Sequence, residues 1–137
     1  MPISLSRAVE QSYLIAFRPV FRATRSVAFA ALTDPGRLGE AFGGADADLR
    51  EGGFLRWNDP VAGDLVGGSL LEWRPGESFV LEDEASGGYF EIKLVPKEER
   101  TAVSVRFYAA SAQPRQVLDL LTRRIGWYLA NAKAHVE

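Results

Sequence analysis

At 137 residues the chain has room for one domain with its own core, and 47% hydrophobic against 25% charged residues is a globular composition. A formal charge of −2 supplies no drive toward nucleic acid or an anionic membrane surface. With no cysteine, and His135 the single histidine, disulfides, cysteine nucleophiles and thiolate or multi-histidine metal sites are excluded, and a Ser-His-Asp triad has little to be built from.

Residues 1–14 form a leader of weak periodicity, open to reading as a strand, a short helix or an irregular segment. It lacks the charged region, apolar run and cleavage site of a secretion signal, and no apolar stretch reaches membrane-spanning length, so a cytoplasmic protein is expected. "IAFRPVFRAT" (15–24) mixes aliphatic and aromatic residues with arginines and reads as a strand. Pro19 cannot donate to a ladder, which puts this strand at an edge or gives it a bulge. The spacing of Val27, Phe29, Ala31, Leu32, Leu38 and Phe42 is helical, broken at "TDPG". Ser26 is expected to cap the first of two short helices, which Pro35 ends at Asp34. Asp34 or Thr33 caps the second, with Pro35 in its first turn and Gly43-Gly44 closing it.

Three hairpins follow. "ADADLRE" and "FLRWND" are joined through a Gly-Gly turn, and "GSLLEWR" and "SFVLEDE" through Pro75-Gly76. "GYFEIKLVP" and "AVSVRFYA" are joined through "KEERT". In the last pair Phe90, Ile92 and Leu94, with Val103, Val105 and Phe107, alternate against polar neighbours, the pattern of an antiparallel sheet covered on one face. The cover is the C-terminal stretch from Pro114, where Leu118, Leu121, Ile125, Leu129, Ala132 and Val136 recur at three- and four-residue steps. At about 1.5 Å per residue such a helix crosses a whole sheet. The layout is α+β, one domain over 1–137: a strand, two short helices, about six antiparallel strands and a long helix.

This order, with "FAALTDPGRL", "GADADLREGGFLRW", "GSLLEWRPGESFVLE" and "GWYLANAKAHVE" in sequence, resembles the START/Bet v-like (SRPBCC) superfamily, and within it the family named for the activator of heat-shock protein 90 ATPase. The resemblance runs from about residue 15 to 137. It implies a helix-grip fold: a curved antiparallel sheet of about six to seven strands wrapped around the C-terminal helix, two short helices after the first strand, and a cavity between sheet and helix. Ala41 stands where relatives usually carry a tryptophan, "ASAQP" is a shorter connection to the long helix than is common, and 1–14 has no counterpart.

A phosphate loop requires glycines between a strand and a helix N-terminus. Gly36, Gly39, Gly43 and Gly44 instead lie within or after helices, with no Lys-Ser/Thr following, and they read as punctuation. The acidic run Glu82-Asp83-Glu84 could offer oxygens to a hard cation, but reads first as a solvated loop. His135, in the last helical turn, complements the exposed carbonyls there. Phe29, Phe42, Trp57, Trp73, Phe79, Phe90, Phe107, Trp127 and Tyr128 are either plain core or the lining of an apolar pocket, and the resemblance brings these readings level. Arg106 and Arg123, with Arg56 beside them, read first as surface residues with their stems laid along the protein, and otherwise as candidate anchors for a carboxylate or phosphate. Gly126, in mid-helix, reads as a point of close helix–sheet approach or as room for a ligand. No catalytic residue, metal site or cofactor is assigned. The reading is a cytoplasmic protein, monomeric or homodimeric, that holds an apolar or amphipathic small molecule and engages neither nucleic acid nor membrane. The alternatives are a chaperone-partnered module like the ATPase activators, and an enzyme like the polyketide cyclases or aromatases.

Overall fold

A computed structural model describes residues 13–59, 64–84, 86–109 and 114–137. Residues 1–12 of the leader, residues 110–113 of "ASAQP" and the side chain of Ala41 lie outside this description. The elements are β1 (Ile15–Phe17), β2 (Val20–Phe21), α1 (Arg25–Thr33), α2 (Pro35–Phe42), β3 (Ala45–Asp48), β4 (Phe54–Asp59), β5 (Asp64–Arg74), β6 (Ser78–Glu82), β7 (Tyr89–Lys97), β8 (Arg100–Tyr108) and α3 (Arg115–Val136). The eight strands form one antiparallel sheet in the order β1-β8-β7-β6-β5-β4-β3, with β2 also pairing β8.

The predicted first strand is interrupted where Pro19 forces it. β1 and β2 sit on the same edge of β8, and the Pro19 carbonyl still accepts from Val103 N–H at 2.9 Å. α1 begins two residues earlier than expected: Thr24, not Ser26, is its N-cap, because the Thr24 carbonyl already takes the Ala28 amide at 2.9 Å. Neither hydroxyl caps the helix; they lie 3.4 Å from each other. The junction to α2 follows the sequence reading. The Asp34 carboxylate accepts from Gly36 N–H at 3.2 Å, Pro35 opens the helix, and Gly43 closes it at φ +82°. The β7–β8 turn is tighter than "KEERT", since pairing continues out to Lys97↔Arg100.

Alternation divides the sheet faces. Phe90, Ile92, Leu94, Val103, Val105 and Phe107 join the main core under α3. Val80, Tyr89 and Tyr108 form a separate buried cluster on the other face, with the two tyrosine rings stacked at 5.3 Å. α3 buries Leu121, Ile125, Tyr128, Leu129 and Ala132. Each of its large aliphatic residues contributes about 1.5–3 kcal/mol of transfer free energy. The helix packs on α1, α2 and β1, and the buried Tyr128 hydroxyl donates to the Leu32 carbonyl of α1.

Candidate functional site

Between sheet and α3 the aromatic side chains largely fill the interior in three groups. Phe29, Trp73 and Phe79 meet beneath α1, with Phe29 5.1 Å from Trp73 and 5.8 Å from Phe79. Trp57 stacks on Tyr128 at 4.2 Å, and Phe42 contacts Tyr128 at 5.8 Å and Trp127 at 4.7 Å. Phe90 and Phe107 meet at 4.8 Å. Edge-on and offset contacts of this kind add to area burial and fix the rings against one another.

A cavity of about 20 Å³ remains, lined by Trp57 of β4, Val66 and Gly67 of β5, Leu81 of β6, Asp83, Phe90 of β7, and Leu121, Arg124 and Ile125 of α3. A single water needs roughly 10–15 Å³ by the same measure, so the hole takes a small group rather than a ring system. Its wall has a backbone reason. Gly67 sits at φ +118°, and a Cβ there would fall 2.2 Å from the Leu55 carbonyl oxygen, so no side chain can occupy that position. Asp83 is 5% exposed; its Oδ2 accepts from Ser86 N–H at 3.0 Å and Ser86 Oγ–H at 2.6 Å. Two other polar atoms of lining residues are buried without a hydrogen-bond partner, the indole Nε1 of Trp57 and Nε of Arg124. Burial holds the Tyr128 hydroxyl well above the ordinary tyrosine value, but Tyr128 is not among the lining residues.

Of the residues singled out in the sequence, Trp57 and Phe90 line this cavity. Phe29, Phe42, Phe79, Phe107 and Tyr128 are buried against other rings, and Trp73 and Trp127 are half-buried beside them. Arg106 lies on the opposite face of the sheet, its guanidinium 4.9 Å from the Tyr13 ring centre. Arg56 pairs with Glu84 at 2.9 Å and covers the Phe54 ring. Arg123 is exposed. The arginine that reaches the cavity is its neighbour, Arg124. The signal was present: position 124 is three after Leu121 and four before Tyr128, on the flank of the buried stripe, whereas position 123 is turned about 100° away.

Asp83 was likewise readable as the next inward position after Phe79 and Leu81 at period two, although the run reads first as solvated. Among the described residues no group of three or more His, Cys, Asp or Glu side chains could hold a metal ion. His135 lies 3.7 Å from Glu40, at the exposed end of α3. Gly126 does not mark a close approach: a Cβ there would meet only the Phe17 ring, at an ordinary 3.6 Å.

The sheet order, the two short helices after the first strands and the long helix laid across the sheet decide the architecture. This is a helix-grip fold. Solved helix-grip structures match most of the chain. CalU16 from Micromonospora echinospora matches with a TM-score of 0.71 at 20% identity, over 89% of this chain and 74% of that one. The Aha1 dimer from Colwellia psychrerythraea gives 0.70 at 15% identity over 90% and 95%. PFC0360w, an HSP90 activator from Plasmodium falciparum, gives 0.71 at 19% over 90% and 95%. No protein-family model and no curated protein matches the chain. Among the described residues no helix is long and apolar enough to cross a membrane.

Proposed function

We propose that this helix-grip protein binds a small apolar or amphipathic molecule in the space between sheet and α3. The observation that carries this reading is the cavity itself. Beside the packed rings, a gap lined by six apolar side chains, two charged ones and the bare backbone of Gly67 is left at the sheet–helix junction. Interiors packed to native density seldom leave such gaps, and apolar walls with a few polar groups are the usual make-up of small-molecule sites. The full aromatic set proposed from the sequence acts mostly by shaping this space, with Trp57 and Phe90 in contact with the ligand. Titrating the isotope-labelled full chain with a panel of small apolar and amphipathic compounds is expected to shift Trp57, Leu81, Phe90, Leu121 and Ile125. A panel that leaves all five unmoved sinks the reading.

The likeness in fold to a named HSP90 activator and to an Aha1 dimer favours a second reading, a cytoplasmic chaperone partner or homodimer. Pull-down and ATPase stimulation with the cognate chaperone at micromolar concentration, alongside light scattering for mass, discriminate it. An enzyme of cyclase type asks for a titratable group of perturbed pKa in the cavity. Tyr128, whose burial raises its pKa, commits its hydroxyl to Leu32 instead.

A further inference from the structure

We infer that the cavity receives the carboxylate of a monoanionic ligand with an apolar body, held by Arg124 and the Trp57 Nε1–H; this rests on the ligand-binding reading above. Both nitrogens are buried and lack an acceptor, while each residue lines the same cavity. Trp57 is only 4% exposed, and its ring is fixed on Tyr128, one helical turn beyond Arg124. A buried donor without a partner is costly, and both groups can only donate, so what fills the hole must bring acceptors.

The charges in the lining decide between a neutral acceptor and an anion. Arg124 takes part in no ion pair among the described residues. Asp83, the other charged residue of the lining, already has Oδ2 bound to the Ser86 amide and hydroxyl. Neutral donors leave Asp83 its charge but occupy that oxygen, so the acceptor for Arg124 and Trp57 comes from the ligand, and a carboxylate meets the guanidinium with charge-assisted hydrogen bonds. Asp83 opposes a second negative group, which restricts the ligand to one. With about 20 Å³ of room, the carboxylate enters and the apolar body extends outward past the half-buried Val66.

The test follows the Trp57 indole N–H and the Arg124 Nε–H resonances of the full chain during titration with hexanoate and, separately, with hexanamide. Hexanoate is expected to move both signals and to bind at least about ten-fold more tightly than hexanamide. Arg124→Met, which keeps the apolar stem, brings hexanoate down to the affinity of the amide. Trp57→Phe keeps the ring on Tyr128 and weakens hexanoate several-fold. Asp83→Asn tightens hexanoate and leaves hexanamide unchanged. Equal affinities for acid and amide, or full hexanoate affinity in Arg124→Met, overturn the anion assignment and leave the cavity reading standing. If neither compound moves either resonance and the cavity holds a water only, both fall.

Discussion

Replacing Tyr128 by phenylalanine isolates one hydrogen bond in the centre of the molecule. The tyrosine is fully buried, its ring lies on Trp57, and its hydroxyl donates to the carbonyl of Leu32, itself fully buried. The variant keeps the ring stack but leaves that carbonyl without its side-chain donor, a loss of about 1–3 kcal/mol near neutral pH. The pH dependence adds a second, independent number. Burial raises the folded-state pKa of Tyr128 above the ordinary 10.0, so its contribution is fully present below pH 10. Above that, the unfolded chain ionises its tyrosine while the folded chain keeps the proton, and stability is lost as pH rises. At pH 11 this amounts to about 1.4 kcal/mol for one such group.

Tyr89, also raised by burial and by Tyr108 and Glu91, titrates in both proteins and cancels from the comparison. Urea unfolding of wild type and Tyr128→Phe at pH 8 and pH 11, followed by circular dichroism, gives both quantities. The penalty of the substitution should shrink by about 1.4 kcal/mol between the two pH values. An unchanged penalty, or none at pH 8, refutes the placement of this hydroxyl.

Gly126→Ala is expected to raise stability by up to about 1 kcal/mol, since the helix gains propensity and the added methyl meets the Phe17 ring at normal contact distance; a lowered thermal midpoint contradicts this. Gly67→Ala is expected to cost more than about 3 kcal/mol or to prevent folding, because the Cβ collides with the Leu55 carbonyl at a φ that alanine avoids. Thermal unfolding of the soluble variant, if any is obtained, measures it.

Much of the architecture was legible because single residues dictate it. Pro19 broke the edge strand, Asp34-Pro35 joined two helices, Gly43 and Gly76 took positive φ, and the α3 stripe found the sheet face that period-two alternation prepared for it. The site was less legible, for two reasons. Aromatic residues announce burial but not whether they touch a void or one another, and here most touch one another. Arginine side chains are long enough for neighbouring positions to end on opposite sides, so Arg123 and Arg124 differ in role through one helical step of about 100°. The bulge between Leu70 and Glu72 and the glycine-only crossing at Gly67 are set by pairing between distant strands, which local pattern does not contain.

The uneven attachment of α3 has a kinetic consequence. From Tyr128 onward the helix is tied down through the Leu32 bond and the buried Leu129 and Ala132, whereas Arg115 and Gln116 are exposed, Val117 and Leu118 are half-buried, and Pro114 supplies no side-chain cap. Local opening free energies should therefore climb along the helix, with amides near residue 118 exchanging orders of magnitude faster than those near 129. Leu121, Arg124 and Ile125 stand on the slope between. If the cavity takes a ligand as proposed, its association rate is expected to follow exchange at residues 118–121, and its dissociation to slow once that turn is pinned.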